Sequence, residues 1–192
     1  MEHTPKNIPD YKKKFFKQLS SYLNTTIYYH GSVNRYDFFN ESDIDIDIFT
    51  ENENEMISKI CYFLKFNRDD VKKFVWKLHI NNEIVYGYKL LYHDIVNDFY
   101  VDIEIFNEKD KKNVLIDHKL TTDISFFYIV LLYILKFIYY KIQIIDWATY
   151  SYIKKNIIGL SIGGDKSEYT IIGEDKDKRV PFKNLLNLFI GI

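Results

Sequence analysis

Between Asp43 and Phe49 the sequence reads D-I-D-I-D-I-F, three carboxylates alternating with three isoleucines. In a β-strand, side chains two apart share a face. Ile44, Ile46 and Ile48 therefore point into a core, and Asp43, Asp45 and Asp47 line up on the other side. Neighbouring carboxylates on such a face stand about 6.5–7 Å apart, and at an effective dielectric of about 20 two of them repel by about 2.4 kcal/mol. Aspartate is also depleted in strands. An ordinary half-exposed strand gains nothing from this row of charge. A cation site does, and hard divalent cations take oxygen ligands.

Ten residues separate these acids from a Gly-Ser pair, Gly31 and Ser32, which follows a strand-like run over Thr26–Tyr29. Glycine lets a backbone approach a ligand closely. A turn opening into a helix start offers free N–H groups to phosphate. A phosphate clamp facing a carboxylate metal site is equipment for phosphoryl or nucleotidyl transfer.

This pattern resembles the nucleotidyltransferase superfamily related to DNA polymerase β. Its motif is an apolar residue followed by Gly and Gly or Ser, a gap of about this length, two acids alternating with apolar residues, and a third acid on a later strand. Gly31, Ser32, Asp43 and Asp45 match in type and order. The run F-Y-V-D-I-E-I-F over Phe99–Phe106 repeats the acidic-strand grammar, with Asp102 and Glu104 on one face. Asp102 is the better match to the third carboxylate, and Glu104 is the fallback. Asp47, one pleat past the pair, is expected at the site edge with a secondary role or none. After Gly-Ser the superfamily often has a basic or aromatic residue and a second Gly, where this chain has Asn34-Arg35-Tyr36.

A closer resemblance is to poly(A) polymerase and terminal uridylyltransferase-like enzymes. L-L-Y-I-L-K-F supplies Lys136, A-T-Y-S-Y-I supplies Ser151 and Tyr152, and F-K-N-L-L-N-L-F over 182–189 is similar to a later helix of that family. The resemblance implies an NTP substrate and two Mg²⁺ (or Mn²⁺) ions held by Asp43, Asp45 and Asp102. It further implies Gly31 and Ser32 at the terminal phosphates, Lys136 and Ser151 on the triphosphate, and Tyr152 stacked on the base. The bland alternative for Lys136 is a lysine snorkelling to the surface. The implied reaction transfers an NMP from the NTP to a hydroxyl acceptor, with an RNA 3′ end as first choice. The alternatives are a minimal enzyme modifying a small molecule or protein, and a non-catalytic nucleotide-binding subunit.

The remaining chain supplies the frame. Apolar positions Tyr11, Phe15, Leu19, Tyr22 and Leu23 predict a helix over 10–24 with Asp10 as N-cap and Lys12–Lys14 on a solvated face. A short helical turn is expected over 33–38. A second helix is expected over 54–66, with Cys61 buried in it. Strands over 74–80 and 83–92 flank Asn81-Asn82, a two-residue hairpin turn. The apolar stretch Ile124–Ile142 reads as a buried helix capped at Thr121–Asp123. Its unbroken apolar part, Phe126–Leu135, is too short for a bilayer of about 30 Å, and Lys136 would lie near mid-membrane, so no membrane partner is expected. Residues 159–165 read as a glycine turn and 164–179 as a charged, mobile stretch. The five histidines show no zinc-ligand spacing and each reads as structural.

The expected fold is thus α/β (α+β): a small mixed β-sheet carrying both acidic strands, with helices on one face and a short helical C-terminal segment. The division is a catalytic core over 1–118 and a helical segment over 119–192. A net charge of −1, from 26 basic and 27 acidic residues, excludes a globally basic nucleic-acid coat. With one cysteine no disulfide forms within the chain, and residues 1–10 lack an apolar signal core. The chain is therefore expected in the cytoplasm, or the host cytoplasm if the AT-rich codon bias that its Lys, Ile and Asn content suggests is viral.

Overall fold

The structure is a computed structural model and describes Pro5, residues 8–163 and residues 169–172. The chain order is α1 (Asp10–Leu23), β1 (Tyr28–His30), β2 (Ile44–Thr50), α2 (Glu53–Leu64), β3 (Lys72–Lys77), β4 (Ile84–Asp94), β5 (Phe99–Asn107), α3 (Lys111–Thr122), α4 (Phe126–Phe137), α5 (Trp147–Ser161) and β6 (Tyr169–Ile172). The strands form one mixed sheet in the order β1-β2-β5-β4-β3-β6. Among the described strands only β2 and β5 run parallel, which brings the two acidic strands side by side within the sheet.

The alternation sorts the faces as expected. Ile44, Ile46 and Ile48 of β2 and Val101, Ile103 and Ile105 of β5 are wholly buried, against Phe16, Leu19 and Leu23 of α1 and Met56, Ile60 and Leu64 of α2. Each such isoleucine contributes about 1.5–3 kcal/mol by leaving water. The opposite face is covered at one end: Phe49, Phe106, Phe74 and Trp76 pack with Val114 of α3. Helices therefore lie on both faces, where the sequence suggested one. Along the parallel pair the acid face grades from Asp45 beside Asp102, through Asp47 beside Glu104, to Phe49 beside Phe106.

Helix α1 turns a different face inward from the one its aromatic spacing suggested. Tyr11 and Tyr22 are exposed, whereas Lys12, Phe16, Leu19 and Leu23 are buried. Lys12 is not on a solvated face: its Nζ donates to the Asn40 carbonyl at 2.8 Å and lies 5.2 Å from the Phe99 ring centre. Burial lowers its pKa. Pro9, not Asp10, holds the N-cap position, and Asp10 complements the helix dipole in the first turn. Helix α2 starts with a reciprocal cap. Asn52 Oδ1 accepts from the Glu55 N–H at 3.1 Å, and Asn52 Nδ2 donates to the Glu55 carboxylate at 3.2 Å. Cys61 is buried in α2 as expected.

The other differences have local causes. The short turn after β1 ends at Asn34, earlier than the 33–38 expectation. The β3–β4 link is longer than a two-residue turn because Asp117 of α3 captures it: its Oδ1 accepts from the His79 and Ile80 N–H groups at 2.7 and 3.0 Å. Thr121 and Thr122 close α3 rather than cap α4, both hydroxyls donating to the His118 carbonyl. Ser125 precedes α4 instead, which runs on into a wider π-type turn over Ile138–Ile142. Leu132, Leu135 and Lys136 are its buried residues, while Phe126 and Phe127 are exposed, so α4 is half-covered rather than buried all round. Among the described residues no single helix is long and apolar enough to cross a membrane.

Gly159–Ser161 form the last turn of α5 instead of a loop. Tyr169–Ile172, within the stretch read as charged and mobile, adds β6 to the sheet beside β3. The rest of 164–179 and the 182–189 motif lie outside the described residues.

Candidate active site

Strand β1 delivers the chain into Gly31, whose φ of +69° lies in the left-handed region that side chains rarely adopt. A Cβ built there would stand 2.3 Å from Asp45 Oδ2. The glycine is thus required twice over, by the turn and by the carboxylate lying against its open side. A tight turn over Gly31–Asn34 follows and buries Ser32 and Val33. The two halves of the motif, separated in sequence, are in contact in space.

Asp45 and Asp102 are direct partners across the parallel β2–β5 ladder, where adjacent strands lie about 4.8 Å apart. Asp43 immediately precedes β2, on the same alternation. Asp102 is buried. Its Oδ2 meets Lys89 Nζ at 2.5 Å, while its Oδ1 has no hydrogen-bond partner. Burial, with help from the charges of Glu104 and Asp45 and against the pull of Lys89, pushes its pKa up to about 7. Lys89 also contacts Glu104 Oε1 at 3.1 Å. Burial works against its charge, but the two carboxylates hold its proton firmly. An all-oxygen donor set, with one buried carboxylate oxygen left unpartnered, fits a hard divalent cation.

Asp43 faces the C-terminal helices. Burial raises the pKa values of Tyr139, Tyr140 and Tyr150, and the nearby charge of Asp43 adds to the rise. Tyr150 is buried in α5 and stacks on Tyr139 at 4.4 Å between ring centres. Tyr152 is 71% exposed. At about 100° per residue the two lie on opposite sides of the helix, so the tyrosine brought toward Asp43 is Tyr150. Ser151, between them, is half-buried.

Lys136 does not snorkel. It is buried, with Nζ 3.3 Å from Asp37 Oδ2 and 3.4 Å from the Oγ of Ser42, the residue before Asp43. Burial lowers its pKa to about 8 despite Asp37. Arg35 grips the same carboxylate with two bonds, at 2.7 and 3.2 Å, and donates to the Thr121 carbonyl at 3.0 Å. The Asn34-Arg35-Tyr36 departure therefore supplies a strut that fixes the loop between Gly31 and Asp43.

Asp47 is fully buried rather than at a site edge. His30 Nε2 and His118 Nε2 approach its two oxygens at 3.2 and 3.1 Å, and the imidazoles stack at 3.8 Å. Despite burial, the charge of Asp47 pushes His30 up to about 9, and the two histidines hold Asp47 far below the usual carboxylate range. Linear spacing hides this cluster, as it hides the Arg35–Asp37–Lys136 group. A period-2 reading ties neighbours on one strand and is silent about residues delivered by another element.

A chain from the solved "structure of GLD-2/RNP-8 complex" is similar to this one at 16% identity, with a TM-score of 0.43; the match covers 82% of this chain and 60% of that one. No curated protein sequence matches significantly. The family profile described as "Nucleotidyltransferase domain" matches residues 10–156, from the first residue of α1 well into α5, so the chain belongs to the nucleotidyltransferase domain family.

Proposed function

We propose that the chain transfers a nucleoside monophosphate from an NTP to a hydroxyl acceptor. The acceptor oxygen bonds to the α-phosphorus as the bond to pyrophosphate breaks. The observation that carries this is the pairing of Asp45 with Asp102 across one ladder, with Gly31 against the Asp45 carboxylate. Asp43, Asp45 and Asp102 would hold two Mg²⁺ ions. When bound, such ions neutralise the triphosphate and lower the pKa of the attacking hydroxyl. Gly31 lets the backbone come close to the terminal phosphates, which Ser32 and the N–H groups beyond it would grip. Asp102 Oδ1, shut from solvent and unpartnered, would ligate an ion beside the acceptor hydroxyl, whose proton that ion loosens. Lys89 keeps the other oxygen of that carboxylate fixed.

The first acceptor proposed is an RNA 3′ end, on the resemblance of the Lys136, Ser151 and Tyr152 motifs. A small-molecule or protein hydroxyl is the second. It is favoured by the withdrawal of Lys136 onto Asp37 and by the outward position of Tyr152 on α5. Incubation with each labelled NTP, Mg²⁺ and a short RNA separates the two. Label on RNA that disappears in Asp43→Asn/Asp45→Asn, with the fold retained, supports the first. Label only on a small molecule or protein supports the second. Undiminished transfer by the double variant sinks the site assignment itself.

A further inference from the structure

One pleat beyond the proposed catalytic acids lies a second, differently built group: His30 from the end of β1, Asp47 from β2, Glu104 from β5 and His118 from α3. One candidate ligand atom from each lies within 4.8 Å of all the others. Asp47 is wholly buried, and both its oxygens lack a hydrogen-bond partner, as do the Nε2 atoms of His30 and His118. The approaches of 3.2 and 3.1 Å are ion-pair distances whose angles fall outside regular hydrogen-bond geometry. Four buried polar atoms held by ion-pair attraction, with no regular hydrogen bond among them, leave part of their desolvation uncompensated. One cation between them would satisfy all four together. The imidazoles stack at 3.8 Å; two protonated rings in that arrangement repel, whereas two neutral rings sharing a cation do not.

We propose that His30, Asp47, Glu104 and His118 form a binding site for one borderline divalent transition cation, zinc being the best fit, separate from the magnesium site. Two imidazole nitrogens with two carboxylate oxygens suit four-coordinate Zn²⁺. Mg²⁺ prefers six oxygens, several of them water. None of the four residues belongs to the Asp43, Asp45 and Asp102 set. The ion is structural: it staples α3 to three strands and holds β1 at the residue before Gly31. Glu104 keeps its contact with Lys89, which links the staple to Asp102.

The test uses the full chain, stripped with chelator and dialysed against Zn²⁺ in the presence of millimolar Mg²⁺. One zinc per chain is expected by metal analysis, with a raised melting temperature. Asp43→Asn/Asp45→Asn retains the zinc, whereas His118→Gln weakens binding at least tenfold. Co²⁺ loading of the unaltered protein gives the intense visible spectrum of a tetrahedral site, a readout that stands if the histidine variant fails to fold. Absence of stoichiometric zinc, a weak octahedral cobalt spectrum, or loss of zinc only in the Asp43→Asn/Asp45→Asn variant would each overturn the proposal. The last result would leave the catalytic metal reading intact, and the two proposals thus fail separately.

Discussion

Asp45 with Asp102 and Asp47 with Glu104 occupy successive rungs of one parallel ladder, and the sequence writes both in the same alternating grammar. Their surroundings separate them. Gly31 lets the Asp45 carboxylate lie against the backbone, and Asp102 keeps one oxygen without a partner. One rung on, β1 and α3 each add an imidazole above Asp47, and the carboxylate is shut in. A third rung, Phe49 with Phe106, is plain apolar core. A repeated pattern on a strand thus fixes which face a residue occupies, and the elements laid over that face decide what it does there.

The largest expected effects separate the two acidic rungs. Asp102→Asn should lower nucleotidyl transfer by about 10³-fold or more, the scale of losing a preorganised charge at a reacting centre. Stability should hold or rise. Burial pushes the Asp102 carboxyl up to about 7, so above the ordinary carboxylate range its ionised form costs free energy that asparagine does not, and Lys89 keeps Glu104. Unfolding in urea alongside rate measurements checks both halves. Equal loss of stability and activity would show that the first rung is structural after all.

Asp47→Asn should do the reverse to the thermodynamics. It removes the buried charge that holds a proton on His30, and breaking a buried ion pair from one side costs about 3–5 kcal/mol. Denaturant unfolding of the chelator-treated protein is the measurement. A change within about 0.5 kcal/mol, the scale of an ordinary surface substitution, would mean that the second rung is no more constrained than the first.

This contrast also explains what could be read from the chain before its fold was known. The shared face of Asp45 and Asp102 was legible because period-2 alternation beside buried isoleucines leaves only one face for them, and the turn was legible because Gly31 marks it. His118 was not, since it meets Asp47 from a helix whose own pattern carries no trace of the strand. Lys12 was misplaced for a related reason. Three consecutive lysines look solvated, yet the Asn40 carbonyl and the Phe99 ring, both distant in sequence, make a buried position for one of them. The apolar run of α4 predicts a buried helix, but hydrophobicity alone does not specify which sides are covered, and its first turn stands open.

Asp37 extends the rule to a buried carboxylate that is compensated off the ladder, in the loop before β2, and it yields the smallest of the three effects. Arg35 and Lys136 both hold it. Lys136 has a folded pKa of about 8 against an ordinary 10.5, lowered by burial. Below pH 8 folded and unfolded chains are both protonated there, and the cost of burying the ammonium is fully present. Between pH 8 and 10.5 the folded chain has released the proton and the unfolded chain still carries it, so this group makes stability rise with pH. Arg35 remains charged throughout and keeps Asp37 compensated. Relative to Lys136→Met, the unaltered protein should therefore gain about 2 kcal/mol between about pH 7.5 and about pH 9.5, at 1.36 kcal/mol per pH unit. Urea unfolding of both proteins at the two pH values measures it. A difference that stays flat would mean that Asp37 stabilises the ammonium as well as water does, and that charge near the first rung is held as tightly as at the second.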